Sequence, residues 1–333
     1  MGKILRIGTR ESELAIWQAT SVQKLLKTSG ISSELVFIKS EGDIDTVTPL
    51  YALGVTGVFT KTLDTALLNN RIDIAVHSMK DVPVQLARGL KQAAVLKRGS
   101  YKDILVPHPD LPNPQSIFSS GTITITDITI REVGSKVSID AIVATSSIRR
   151  SAQWVKRYPQ HQIVDLRGNV NTRLRKLKES NWHGAIFAAA GLERINLRPK
   201  NAIELDWMLP APAQGAIMIV CRDSDQYVFE SCQNLNHEET ELCTKIERDF
   251  LSGLMGGCST PISALAEVKD SEVHFKGNIV SPISYHMSET IVTRPLSDAR
   301  DLGLFAAKRI MSEGGEAILE NIRKKGLATN GEV

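Results

Sequence analysis

Three short apolar runs separated by two amphipathic segments occupy the first 78 residues and leave few folds open. KILRIG, SELVFIKS and RIDIAVHS are rich in Ile, Leu and Val, while ESELAIWQATSVQKLL and FTKTLDTALLNN between them carry apolar residues at helical spacing. This alternation predicts an α/β sheet, because neighbouring parallel strands need a crossover connection that a helix usually supplies. Asn69 and Asn70 stop the second helix, and the DIAV strand ends where HSMKDVP begins. Ligands of open α/β sheets gather outside the carboxyl ends of strands, so that junction is a favoured place for a site.

A second set of the same kind starts at Asp103: DILV, AIVATSS, a helix from Ser147 through Tyr158, QIVDL, a helix through Leu174 and Leu177, and GAIFAAAGL. The proline-marked stretch LPAPAQGAIMIVCR, Leu209 to Arg222, adds an apolar strand expected to return to the first sheet, so that two linkers join the halves as a hinge. A third region opens with the helical NHEETELCTKIERDFLSGL, continues with strand-like SALAEV, EVHFKGNIV and ETIVTRP, and closes with helices from Asp298 onward. The expected division is residues 1–100 with 212–233, residues 101–211, and residues 234–333. Between Pro109 and Asp140 a Pro-, Ser- and Thr-rich insert alternates in GTITITDITIREV like a two-stranded hairpin, with no visible chemistry.

At 333 residues, 42% hydrophobic and 23% charged, the chain has room for two or three domains and the balance of a soluble globular protein. Lys plus Arg (40) exceeds Asp plus Glu (37) by three, so a nucleic-acid coat is not expected and any anion site is local. MGKILRIGTRESELAIW has neither the long apolar core nor the cleavage site of a signal peptide, and no later run spans a bilayer, so a cytoplasmic protein without membrane contact is expected. Cys221, Cys232, Cys243 and Cys258 form no CxxC pair and no His cluster has zinc-ligand spacing, so neither disulfides nor metal are implied. No long exposed heptad argues against a monomer.

Several groups are candidates for chemistry. MGGCSTP places Cys258 on a flexible, closely approachable loop after a helix, where a thiol is either a small apolar filler or chemically used. Arg10, Arg149, Arg150, Arg167, Arg173 and Arg194 recur where strands meet helices. Guanidinium forks and helix N-termini together suit oxyanions, phosphate and carboxylate alike, although any one arginine can equally be a surface ion-pair residue. Asp81 beside Lys80 can balance charge, handle protons or simply form the turn before Val-Pro. His77 reads as a packed or turn-bonded histidine rather than a base. GxSxG, Walker and GxGxxG-with-acid patterns are absent, which removes support for hydrolase-triad, nucleotide-hydrolysing and dinucleotide readings.

Taken in order, RIGTRES, DIAVHSMKDVP, ATSSIRR, LRGNVNTRL, AAAGLERI, PAPAQGA and GGCSTP resemble the porphobilinogen deaminase (hydroxymethylbilane synthase) family over nearly the whole chain. The resemblance implies two type II periplasmic-binding-protein-like α/β domains flanking a cleft, plus a small α/β C-terminal domain. It also implies a transferase of tetrapyrrole (heme, porphyrin) biosynthesis. Such an enzyme condenses four porphobilinogen molecules head to tail onto a cysteine-tethered dipyrromethane, loses ammonia at each addition and releases hydroxymethylbilane by hydrolysis. The GGC motif puts the thioether to dipyrromethane on Cys258, and the HSMKDVP motif puts the catalytic carboxylate on Asp81. A soft, nucleophilic thiol suits that tether, since it can trap the electrophile made by deaminating porphobilinogen.

Each pyrrole carries an acetate and a propionate, so a growing chain accumulates negative charge that needs cationic clamps. By motif position, Arg10, Ser12, Arg149 and Arg150 bind substrate and cofactor carboxylates, and Arg167, Gly168, Asn169 and Arg173 extend the lining. Gly191, Arg194 and Gln214 follow from AAAGLERI and PAPAQGA; Ser78 and Lys80 contact cofactor carboxylates; Thr145, Ser146 and Ser147 supply hydroxyl and backbone donors. The chain departs from the family in the loop of roughly Gly42 to Thr56, where Ala52 and Thr56 stand in place of lysines and only Lys61 remains nearby. That loop is expected to close over the cleft as a lid. The insert from Pro109 to Asp140 is a second departure. A non-catalytic binding protein of the same architecture for a small polyanion, or an inactive relative, are the alternatives.

Overall fold

The computed structural model describes residues 3–39, 60–111, 141–254 and 260–324. The alternating runs form two five-stranded sheets. The first holds β1 (Leu5–Thr9), β2 (Ser33–Phe37), β3 (Ile74–Ser78), β4 (Leu90–Val95) and β10 (Ile217–Arg222) in the order β2-β1-β3-β10-β4. The second holds β5 (Asp103–Pro107), β6 (Ile142–Ala144), β7 (Gln162–Val164), β8 (Gly184–Ala188) and β9 (Ile203–Glu204) in the order β7-β6-β8-β5-β9. Both are the same design: three parallel strands, then an antiparallel fourth, β10 or β5, that pairs on both sides.

Helices cover the sheets. Ser12 caps α1 (Glu13–Thr28), accepting from the Ala15 amide at 3.4 Å, and the helix buries Ala19, Val22 and Leu26 against Leu5, Ile7 and Ile74. Such a cap is worth about 1 kcal/mol. On the opposite face α2 (Lys61–Leu68) packs Leu63 and Leu67 on Ala75, Val95 and Met218 and ends at Asn69, with Asn70 left-handed at φ 55°. Burial on both faces explains why β3, β5 and β10 read as continuous apolar runs rather than alternating ones. In the second unit α3 (Ile148–Arg157), α4 (Val170–Lys178) and α5 (Ala189–Arg194) do the same.

The chain crosses between the sheets twice, after β4 and before β10, and the crossings touch: the Gly99 amide donates to Gly215 O at 3.0 Å. Only glycine fits there, since Gly215 has φ +88° and a Cβ would lie 2.7 Å from Ser100 O. After β10 come α6 (Gln226–Gln233) and α7 (Glu238–Gly253). The third unit packs α7, α8 (Leu302–Ile310) and α9 (Glu316–Lys324) on an antiparallel meander of β11 (Ile262–Lys269), β12 (Glu272–Val280) and β13 (Met287–Pro295). The architecture is thus α/β, with two five-stranded-sheet units of like topology and a small α/β C-terminal unit. Glu247 of α7, fully buried, ties the third unit to both crossings: its carboxylate accepts from Arg98 at 2.6 and 3.0 Å, from the Ala213 amide at 2.6 Å and from the Ala266 amide at 2.8 Å.

Candidate active site

Parallel strands point their carboxyl ends the same way, and an antiparallel neighbour starts at that same edge. The edges of the two sheets face each other across a cleft of about 680 Å³, and the motif residues border it because of where they fall on the strands. Arg10 and Ser12 follow β1; Ser78 ends β3, and Lys80 and Asp81 follow it. From the second unit, Thr145, Ser146, Ser147, Arg149 and Arg150 follow β6, while Arg167, Gly168, Asn169 and Arg173 follow β7. Gly191 and Arg194 follow β8, and Gln214 precedes β10. Cys258 lies outside the described residues, as do Ala52, Thr56 and residues 112–140 of the insert; Lys61 is the exposed first residue of α2.

The small polar residues first build the local structure. Ser147 Oγ caps α3 by accepting from the Arg150 amide (3.4 Å), Asn169 Oδ1 caps α4 by accepting from Thr172 (2.9 Å), and Ser146 Oγ accepts from the Leu166 amide (2.8 Å). Thr145 Oγ1 accepts from the Ser147 amide at 3.3 Å, and Ser78 Oγ accepts from Gln18 Nε2 at 2.8 Å. A hydroxyl that accepts one bond still has a proton to donate, and these four hydroxyl residues line the cleft. Gly168, at φ +111°, turns the chain into α4; a Cβ there would meet Thr172 Cγ2 at 2.6 Å.

The arginines are organised by a residue that no motif marks. Asp103, the fully buried first residue of β5, accepts from Arg149 Nη2 at 2.7 Å, from Arg150 Nε and Nη2 at 3.1 and 2.7 Å, and from Gln214 Nε2 at 2.9 Å. Arg149 Nη1 and Arg150 Nη1 donate further to Leu209 O and Ile186 O. Gln214 in turn accepts from Lys80 Nζ at 3.2 Å, so one network spans the cleft from the Asp81 turn to the arginine pair. Burial alone would raise the Asp103 pKa, but Arg149 and Arg150 hold the carboxyl well below the usual range. Removing one partner of such a pair leaves buried charge uncompensated. Asp103→Ala is therefore expected to destabilise the second unit by about 3–5 kcal/mol, read from urea unfolding followed by tryptophan emission, since Trp154, Trp182 and Trp207 all lie there.

Around this network the cleft is cationic. Burial pushes Arg173 down to about 10, with Arg150 and Arg167 adding and Asp81 opposing; burial likewise pushes Arg194 down to about 10. Arg173 Nε donates to Gly168 O (2.7 Å) and Arg194 Nη2 to Gly215 O (2.6 Å). Arg167 is buried and its Nη1 has no hydrogen-bond partner, a cost that an anionic ligand would remove. His77 is buried beside them; burial and then Arg10 push its pKa down to about 4, so its imidazole is neutral near pH 7 and unsuited to serve as a base titrating there.

Lys80 is pushed down to about 8 by burial, against the pull of Asp81 and with Arg150 adding to the shift. It is charged below that pH and neutral above it, so its attraction for an anion is lost as pH rises through about 8. The expected result is an alkaline limb near pH 8 in kcat/KM, flattened in Lys80→Met, measured as a pH–rate profile of both proteins.

Among the described residues no His, Cys, Asp and Glu cluster could hold a metal ion, and no helix is long and apolar enough to cross a membrane. Cys221, Cys232 and Cys243 are buried, and burial raises their thiols to about 11, 12 and 12, which keeps them protonated and unreactive.

Residues 5–230 match the family described as "Porphobilinogen deaminase, dipyromethane cofactor binding domain", and residues 241–312 match "Porphobilinogen deaminase, C-terminal domain". The chain is 38% identical over 331 residues to the chloroplastic porphobilinogen deaminase of Oryza sativa subsp. japonica, covering 96% of this chain and 87% of the relative. It is 36% identical over 329 residues to the porphobilinogen deaminase of Syntrophomonas wolfei subsp. wolfei (96% and 99% covered) and 36% over 330 residues to that of Trichlorobacter lovleyi (98% and 99% covered). Among solved structures, the methionine binding protein MetQ aligns with a TM-score of 0.38 at 14% identity, covering 69% of this chain and 89% of that one.

Proposed function

The chain belongs to the porphobilinogen deaminase family, and from that premise we propose that Asp81 is its catalytic carboxylate, Cys258 its cofactor attachment point and the cleft arginines its carboxylate clamps. Its activity is the transferase reaction of that family, the joining of porphobilinogen units with loss of ammonia toward hydroxymethylbilane, and its cofactor is dipyrromethane. The observation that carries the reading is the convergence of Arg10, Lys80, Arg150, Arg167, Arg173 and Arg194 on one cleft beside Asp81. Porphobilinogen, with an acetate and a propionate on a flat ring, suits those forks, and the unpartnered Arg167 Nη1 is the kind of donor a carboxylate would satisfy.

When bound through a thioether to Cys258, dipyrromethane supplies the nucleophilic pyrrole carbon on which the chain grows. The protein's own part is to hold, orient and stabilise. Arg150 keeps Nε and Nη2 on Asp103 and one Nη1 bond on Ile186, which locks its plane while its remaining N–H groups stay available to a carboxylate. Loss of ammonia from the aminomethyl group leaves positive charge on the pyrrole ring, and the Asp81 carboxylate stabilises it most strongly where water is excluded. The same oxygens can take up the proton released when two rings are joined.

Cys258 is supported by its chain neighbours. The chain leaves α7 at Leu254, which is fully buried, and re-enters at Thr260 before β11, where Ser263 Oγ accepts from Gln153 Nε2 of α3 at 3.0 Å. The same helix α3 carries Arg149 and Arg150. The division into residues 1–100 with 212–233, 101–211 and 234–333 is part of the proposal, supported by the strand membership of the three sheets. We also propose a cytoplasmic monomer; the free cysteines Cys221, Cys232 and Cys243 are in keeping with a reducing compartment. The reading of a non-catalytic binding protein is not favoured.

Arg167→Gln tests the clamp. A charged hydrogen bond is worth about 1.5–3 kcal/mol, so KM for porphobilinogen is expected to rise by about 10- to 150-fold with a smaller change in kcat. Unchanged KM would remove Arg167 from the carboxylate site.

A further inference from the structure

The turn that presents Asp81 is held from below by the third unit. Met79–Asp81 form one 3₁₀ turn after β3, in which Met79 and Val82 are buried while Lys80 and Asp81 border the cleft. Arg248 of α7, 8% exposed, lies beneath it. Its Nη1 donates to Met79 O at 3.4 Å and Val82 O at 2.9 Å, and its Nη2 donates to Pro83 O at 2.6 Å and Val84 O at 3.1 Å. The Val84 side chain packs onto the core of the third unit, a second anchor for the same segment. A guanidinium gripping carbonyls on both sides of a turn restrains it in position and tilt, which a single ammonium point charge cannot do.

Residue 248 is five positions before the end of α7, and Cys258 comes five positions after that end in sequence. The clamp on the Asp81 turn is therefore carried by a helix of the third unit. We infer that Arg248 is a positioning residue that fixes the Asp81 turn against α7, so that the third unit sets where the carboxylate stands in the cleft. This rests on Asp81 being the catalytic carboxylate. A displacement of about 1 Å at such a group can cost about 100-fold in rate, whereas the cleft arginines Arg150, Arg173 and Arg194 are held by Asp103, Gly168 and Gly215 rather than by α7 and keep most of the substrate's carboxylate contacts in place.

Arg248→Lys, which keeps charge and most of the volume, is the test. The expected result is kcat lower by about 10- to 100-fold with KM within about threefold and full occupancy of Cys258 by intact mass. Faster amide hydrogen exchange in the peptide over residues 79–84 alone is expected alongside it, because the Val82 amide bond to Met79 O is what the clamp supports. Unchanged kcat and unchanged local exchange would overturn the inference. Exchange rising throughout the protein, with Cys258 unloaded, would also overturn it by showing a general packing role. Asp81→Asn run in parallel separates the two claims: if that variant keeps full turnover the assignment of Asp81 fails, and the clamp itself is then judged by the exchange data.

Discussion

Asp81→Asn is expected to lower kcat by about 100- to 10,000-fold while leaving KM for porphobilinogen unchanged or slightly lower. Asparagine fills the same volume at the end of the 3₁₀ turn, so Met79 and Val82 keep their burial and Arg248 its carbonyls. What disappears is the negative charge that opposes the burial effects on Lys80 and Arg173. A cleft made more cationic does not bind an anionic substrate less well, so the defect falls on the charge that develops during reaction. A second sign follows from the same electrostatics. Asp81 raises the Lys80 pKa, so its removal moves the alkaline limb of kcat/KM in any residual activity below about 8. Steady-state kinetics across pH on the pure variant checks both. A loss confined to KM would assign Asp81 to binding instead.

Cys258→Ala is expected to abolish turnover outright, with no adduct on any other residue. The alternative thiols are unsuited to take over: Cys221 in β10, Cys232 in α6 and Cys243 in α7 are buried with pKa values pushed to about 11 or 12, so almost no thiolate exists at pH 7. Cys258→Ser tests nucleophilicity rather than size, since a hydroxyl of similar volume lacks the soft sulfur that captures a carbon electrophile. Peptide mapping after incubation with porphobilinogen, together with turnover, distinguishes a lost tether from a misfolded chain. Retained turnover in either variant would sink the proposed attachment.

Much of the frame was readable because it rests on local rules. Ser147 caps α3 and Tyr158 closes it, as a polar starter before RRSAQW suggests, and the apolar runs of β3, β5 and β10 are strands because both their faces are buried. Other features depend on contacts between distant residues. Strand β4, LKQAAV, hides among charged neighbours and is a strand only because β10 pairs with it from more than a hundred residues away in sequence. Asp103 looks like the surface partner of Lys102, yet its ligands Arg149 and Arg150 stand 46 and 47 residues on. The one local sign was a carboxylate opening an otherwise apolar strand. ATSSIRR pointed to ligand clamps, and the arginines do border the cleft, but the donors that lock them face inward to Asp103. Arg98 and Glu247, 149 residues apart, were invisible for the same reason.

The intact mass of the purified protein, with a peptide map, is the sharpest test of a primer tethered to Cys258. The expected result is an addition equal to two linked pyrrole units, located on Cys258 and growing by single-ring steps when porphobilinogen is supplied. A chain that stays unmodified on Cys258 after exposure to porphobilinogen and to hydroxymethylbilane would contradict it.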